Sequence, residues 1–247
     1  MKWSLVSDIH IPYHNKRYLD MWFEFNKWWQ PDVIDIAGDL DDACPVSKYS
    51  NGTPAEYENA VVSYAPLVQQ FFADLREAHP NAEIHYHTGN HEARYDNYIA
   101  TKAPALSGLI TPELLWKTET HGIDLSYYDA PPVERYAGYF VHHGPYAQRD
   151  SGDSVRKVMD EFNVSAIVGH SHAQAMVGKT YELRGEILRG LELGHLVDIH
   201  SNGMAYTRLR NWQPGFGIMH VDGGNGYPSL VPIVDNSCMV EGKLFKA

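Results

Sequence analysis

The chain is poor in cysteine, in positive charge and in long apolar runs. Cys44 and Cys238 are its two cysteines in 247 residues. Two thiols build no disulfide framework and fit a reducing, cytoplasmic setting. Lys and Arg total 20 against 31 Asp and Glu, a formal net charge of −11. Attraction to nucleic-acid backbones and anionic membranes rests on basic side chains, so neither a membrane partner nor a stable nucleic-acid complex is expected. No apolar run reaches the roughly 20 residues of a membrane helix. The segment Met1-Lys2-Trp3-Ser4-Leu5-Val6 lacks the layout of a signal peptide. Internal repeats and low-complexity tracts are also missing.

Hydrophobic residues make up 44% of the chain and charged residues 21%, which excludes a disordered chain. The length suits one α/β domain of about 200–250 residues, spanning 1–247. The sequence is rich in histidine, with 14.

Trp3-Ser4-Leu5-Val6-Ser7-Asp8 reads as a short buried strand ending in a carboxylate. Tyr18, Met21, Trp22, Phe25, Trp28 and Trp29 then form a helical stripe that Pro31 ends. Val33–Ala37 is strand-like and stops at Gly38-Asp39. Residues 43–54 are loop-like, with Pro45, Ser47, Ser50, Asn51, Gly52 and Pro54. A second helical stripe, on Tyr57, Val61, Tyr64, Val68, Phe71, Phe72 and Leu75, contains Pro66, which predicts a kink or break. Glu83–His87 and Tyr139–Val141 read as strands. A helix carrying Val155, Val158, Met159 and Phe162 precedes the strand Val164–Val168. From Ala173 onward the alternation predicts more sheet, and residues 93–130 read as a partly helical insertion over one edge.

Each buried-looking strand ends in residue types that ligate metals. Asp8 and His10 follow the first, Asp39 and Asp42 the second, and Asn90, His91 and Glu92 the third. His142 and His143 follow the fourth, His170 and His172 the fifth. Ligands in open α/β sheets bind beyond the carboxyl ends of strands, so five such ends can converge on one place. Imidazole, carboxylate and amide suit a borderline divalent ion. Singly, each segment has an ordinary explanation, because Gly-Asp and Asn-His also cap turns and helices. Jointly, in this order and each behind an apolar run, coincidence is a poor explanation.

Asp8-Ile9-His10, Gly38-Asp39-Leu40-Asp41-Asp42, Gly89-Asn90-His91-Glu92, His143-Gly144 and Gly169-His170-Ser171-His172 together resemble the motif set of the calcineurin-like metallophosphoesterases. The resemblance implies a four-layer α/β/β/α sandwich with a two-metal site at the strand C-terminal ends. It implies Asp8, His10, Asp39 and His172 around one cation and Asp39, Asn90, His143 and His170 around the other, with Asp39 bridging. His91 would be the acid near the leaving-group oxygen, with Asp42 orienting it. Manganese is the expected metal, with iron, zinc or nickel as alternatives. The implied activity is hydrolysis of a phosphodiester in a nucleotide-like or other small substrate by metal-generated hydroxide. Phosphomonoester hydrolysis or cleavage of single-stranded DNA is the alternative, and a non-catalytic metal-binding scaffold stands behind both.

Other residues are weighed beside this set. His142 is adjacent to His143 and is expected to be structural, since alternation points the two to opposite faces. His85 and His87 share one strand face and are expected as hydrogen-bonded core residues. His14 and Arg94 are candidate substrate contacts, Arg94 pairing equally well with Glu92. The protein phosphatases of the family carry Arg after the second Asp of Gly-Asp-x-x-Asp; Ala43 stands there, which speaks against that activity. Arg208-Leu209-Arg210-Asn211-Trp212-Gln213-Pro214-Gly215-Phe216 resembles a tail of small, often phage-encoded members of unassigned substrate. Arg208 and Arg210 could bind phosphate and Trp212 stack a base, but Trp212 is expected buried in the final sheet.

Overall fold

The structure, a computed structural model, describes residues 1–52, 61–204 and 211–247. Pro54, Tyr57, Arg208, Leu209 and Arg210 lie outside the described residues.

Short, fully apolar runs build the first sheet. The strands β1 (Lys2–Val6), β2 (Val33–Ala37), β3 (Glu83–His87) and β4 (Ile123–Ser126) run parallel to one another. Strand β10 (Gly215–Asp222) joins β1 antiparallel, and β11 (Asn225–Pro232) closes that edge, giving the order β11-β10-β1-β2-β3-β4. Both faces of β2 are buried, as a parallel strand covered on two sides requires. The second sheet has the order β5-β6-β7-β9-β8, from β5 (Val133–Glu134), β6 (Tyr139–Val141), β7 (Ser165–Val168), β8 (Gln174–Tyr181) and β9 (Glu186–Leu193). A hairpin of β12 (Ser237–Val240) and β13 (Lys243–Lys246) is separate.

Side-chain alternation assigns the layers. Trp3, Leu5, Val33 and Ala37 point between the sheets, against Tyr139, Val141, Ile167, Leu191 and Leu193. Val6, Ile34 and Ile36 face the other way, toward Met21, Trp22 and Phe25 of α1 (Lys16–Trp29) and Val68, Phe72 and Leu75 of α2 (Val61–Ala78). On the far side of the second sheet, Ala166 and Val168 pack on Val155, Val158 and Met159 of α5 (Asp153–Phe162). The architecture is the four-layer α/β/β/α sandwich. Residues 93–130 hold α3 (Ala93–Lys102), α4 (Pro112–Trp116) and β4, which pairs with β3 at the sheet edge.

Local chemistry sets the helix ends. Asn15 caps α1 by accepting from Arg17 N and Tyr18 N, and Gln30 ends it in the left-handed region before Pro31. Helix α2 runs through Pro66 without a break. Packing of Val68, Phe72 and Leu75 holds the turn that proline leaves short of one hydrogen bond. Trp28 and Phe162, counted in apolar stripes, are each 44% exposed. Residues 43–52 are two single 3₁₀ turns, Cys44–Val46 and Lys48–Ser50. Among the described residues, no helix is long and apolar enough to cross a membrane.

One polar group lies inside the apolar layer between the sheets. Asp35 is fully buried and accepts from Trp3 Nε1 at 2.7 Å, while His87 Nε2 lies 2.9 Å from its other oxygen and Arg135 Nε 3.6 Å away. Burial lowers the His87 pKa despite Asp35. Asp35→Ala should leave the buried Trp3 N–H and His87 Nε2 without their acceptor, while Arg135 keeps Asp124, and destabilise the fold by about 1–3 kcal/mol for each orphaned group. Urea unfolding followed by tryptophan fluorescence would measure the loss.

Candidate metal centre

The parallel strands deliver their ends to one place. Asp8 and His10 follow β1, Asp39 follows β2, Asn90 and His91 follow β3, His143 follows β6, and His170 and His172 follow β7. Three groups of side chains there have ligand atoms within 4.8 Å of one another: Asp8, His10 and His172; His10, Asp39 and His91; and Asp39, His143 and His170. Asn90 Oδ1 joins the third, 3.1 Å from His143 Nε2. His10 and Asp39 link the groups.

The backbone turns sharply to achieve this. Asp8, His10, Asp39, His170 and His172 all have φ between 51° and 69°. Each such residue costs of order 1–3 kcal/mol, and the cost is tolerated where the surroundings hold the conformation. Close approach adds a second demand. A Cβ on Gly89 would collide with Asp39 Oδ1, and one on Gly169 with Ser7 Oγ and Asp8 Oδ2.

Asp8, Asp39, His10 and His143 each have one atom tied down and one offered inward. Asp8 Oδ2 accepts from Ser7 Oγ at 2.6 Å and His170 N at 3.0 Å, whereas Asp8 Oδ1 is buried without a hydrogen-bond partner. Asp39 Oδ1 accepts from His91 N at 3.0 Å, whereas Oδ2 faces His143 Nε2 at 3.2 Å, His10 Nε2 at 3.7 Å and His91 Nε2 at 3.8 Å. His10 Nδ1 donates to Asp42 Oδ2 at 3.0 Å and His143 Nδ1 to Ala37 O at 2.8 Å, so their Nε2 atoms turn inward. His10 Nε2 and His172 Nε2 are 3.1 Å apart. With neutral imidazoles the cluster is a convergence of acceptors that lacks donors, and such a cavity is suited to cations. The nitrogen and oxygen donor set, free of thiolate, fits divalent metals of borderline hardness.

Protonation in the cation-free protein follows the same logic. Burial alone would lower the His10 pKa, but hydrogen bonds to Asp42 and Asp8 and the charge of Asp39 push it up to about 10. Burial is likewise overcome at His143, raised to about 9 by Asp39. Asp8, Asp39 and Asp42 stay ionised, because neighbouring imidazoles outweigh burial. Burial and the His143 charge push His170 down to about 4, and burial lowers His172.

Asp42 is shared: its Oδ2 lies 3.0 Å from His10 Nδ1 and 3.3 Å from His91 Nδ1, and its backbone oxygen is 2.8 Å from His91 Nδ1. Arg94 donates to that backbone oxygen at 2.9 Å and to His91 Nε2 at 2.8 Å. It does not pair with Glu92, which is fully committed elsewhere. Glu92 accepts from the backbone amides of Asp39, Asp41 and Gly89 at 3.1, 2.8 and 2.6 Å, and burial raises its pKa to about 7. His142 is held by Tyr128 O and the Gly144 amide, away from the cluster. His85 pairs with Asp124 and His87 with Asp35. His14 stands apart from the three groups, bridged through its backbone to Val197, and its Nδ1 has no hydrogen-bond partner. Trp212 is half-exposed ahead of β10, and its ring lies edge-on to His172 with centroids 4.3 Å apart. The expectation of a tryptophan buried in the final sheet is therefore wrong, because the chain reaches the sheet only at Gly215.

Sequence reasoning missed the supports. Glu92 pins the loops after β2 and β3. Asp41 accepts from Ala43 N, Tyr95 OH and Trp116 Nε1. Glu192 accepts from Gly152 N, Val155 N and Ser171 Oγ. Acidic residues beside or inside the motifs were the available signal for the first two. Glu192 carries none, since it is far from them in sequence.

The overall likeness agrees with the geometry. The chain has the calcineurin-like metallophosphoesterase fold. Vacuolar protein sorting 29 from Cryptosporidium parvum matches it with a TM-score of 0.51 at 15% identity, over 98% of this chain and 93% of that one. The gene 54 proteins of Mycobacterium phages D29 and L5 are 28% and 27% identical over 254 residues, covering 98% of this chain and 97% of each relative. No family model matches.

Two outcomes follow from the geometry. Gly89→Ala should displace Asp39 and lower metal uptake, read by elemental analysis of the folded variant. Protons held by His10 and His143 stabilise the cation-free fold below about pH 6.5, and that contribution is lost as pH rises through 9–10. At pH 7 a divalent cation must displace them, so binding should release about two protons. Calorimetry in buffers of differing ionisation enthalpy measures this, and a release near zero would contradict it.

Proposed function

We propose that this protein is a metal-dependent phosphoesterase that holds two divalent cations, manganese first, with iron, zinc or nickel as alternatives. The observation that carries the reading is the inward convergence of Asp8 Oδ1, Asp39 Oδ2 and the Nε2 atoms of His10, His143 and His172. Asp8, His10, Asp39 and His172 would hold one cation, and Asp39, Asn90, His143 and His170 the other. When bound, the pair supplies Lewis acidity, neutralising phosphoryl oxygens and making a nucleophile from water near neutral pH.

The chain's own residues supply the rest. Asp42 and Ala37 O fix the ring orientations of His10 and His143. His91 lies at the rim of the Asp39 carboxylate, its Nδ1 held by Asp42 O. Its Nε2 accepts from Arg94; once released and protonated by solvent water, it is the atom that would pass that proton to the departing oxygen. The favoured substrate is a phosphodiester in a nucleotide-like or other small molecule, consistent with a net charge of −11 that repels long polyanions. A phosphomonoester or single-stranded DNA is the alternative. A second reading, a metal-binding scaffold that docks a partner, draws support from the solved neighbour named for vacuolar protein sorting.

Manganese-loaded protein should cleave bis(4-nitrophenyl) phosphate, and a panel of mono- and diesters, cyclic and linear nucleotides and single-stranded DNA would rank substrates. Asp39→Ala should lose both metal and activity. His91→Ala should keep its metal and lose about 10²–10⁴-fold in kcat. Metal binding without turnover of any phosphoester would favour the scaffold.

A further inference from the structure

Among the described residues, Arg94 is a cation with no ion-pair partner at the rim of an acidic site. It sits in the first turn of α3, half-exposed, three residues after His91. Among the described residues it forms no ion pair, and it is the only Lys or Arg whose side chain hydrogen-bonds a residue of the cluster. Its two partners, Asp42 O and His91 Nε2, are a carbonyl and an imidazole nitrogen. The carboxylate nearest in sequence, Glu92, is saturated by three backbone amides. The helix that carries Arg94 is fixed by the buried Tyr95, whose hydroxyl donates to Asp41.

A guanidinium only donates, and its planar fork matches two oxygens of a phosphate far better than a carbonyl and an imidazole. A phosphate offers that fork an opposite charge and a bidentate acceptor, neither of which a carbonyl or a neutral imidazole supplies. Resting on the phosphoesterase reading, we propose that Arg94 is a specificity-determining residue that leaves His91 to grip the non-bridging oxygens of the substrate phosphate. The exchange uncovers His91 Nε2 only when a phosphate is in place.

The test is the affinity of manganese-loaded protein for inorganic phosphate, measured by calorimetry, with metal content and Tm recorded for every variant. Arg94→Ala should keep its metal and Tm and bind phosphate about 10- to 100-fold more weakly. Arg94→Lys, a point charge without the fork, should recover part of the loss. In hydrolysis of bis(4-nitrophenyl) phosphate, the alanine variant should show the loss chiefly in KM. If Arg94→Ala does not fold, Arg94→Gln, which keeps amide donors and loses the charge, gives the same comparison. Equal phosphate affinity in parent and variant overturns the assignment of Arg94 alone. Loss of metal with the side chain would make Arg94 a support of the cluster and also overturn it. Failure of the loaded parent to bind phosphate at all would overturn this assignment together with the phosphoesterase reading.

Discussion

Asp39 carries the constraint on which the site depends. One of its oxygens is fastened by the His91 amide, and the other is offered to three imidazoles from three different segments. A carboxylate with so many neighbours holds its place only if every neighbour is held too. His10 is steered by Asp42, His143 by the carbonyl of Ala37, and the loops bearing Asp39, Asp41 and Gly89 by the single carboxylate of Glu92. The result is a set of acceptors facing one another, which protons on His10 and His143 satisfy in the cation-free protein and which a cation can satisfy in their place.

The sandwich makes that arrangement affordable. Parallel strands covered on both faces end in the same direction, so their loops share one rim. The loops then turn through left-handed conformations at five of the ligand positions. Such turns are unfavourable locally and persist because the strands behind them are locked in the core, with Trp3, Leu5, Ile34 and Ile36 almost wholly buried. Gly89 and Gly169 are small because carboxylate and hydroxyl atoms occupy the space where a side chain would begin. Packing, strain and ligand geometry are thus one problem.

Polar groups elsewhere follow the same rule of commitment. Asp35 ties Trp3 and His87 across the first sheet, and Asp124 ties His85 and Arg135 near its edge. These histidines are used up in structure, which separates them from the histidines that face the cluster. Arg94 is the exception, since its partners are neutral groups at an acidic rim.

Much of this was legible in the chain itself. The apolar runs of β1, β2, β3, β6 and β7 and the ligand types behind them define both the fold class and the residues that meet, because a buried strand must end at a rim and a ligand must sit beyond it. The stripe of α1 and the structural character of His142, His85 and His87 were readable for the same local reasons. Folding decided what depends on distant partners. Pro66 stays helical because the core holds its turn, Trp212 stands beside His172 instead of in a sheet, and Arg94 lies on His91 rather than Glu92. Glu192 supports the turn before α5 and Ser171 from a strand that no motif marks. Periodicity reports which face of one element is apolar, whereas these contacts depend on how separate elements are placed in space.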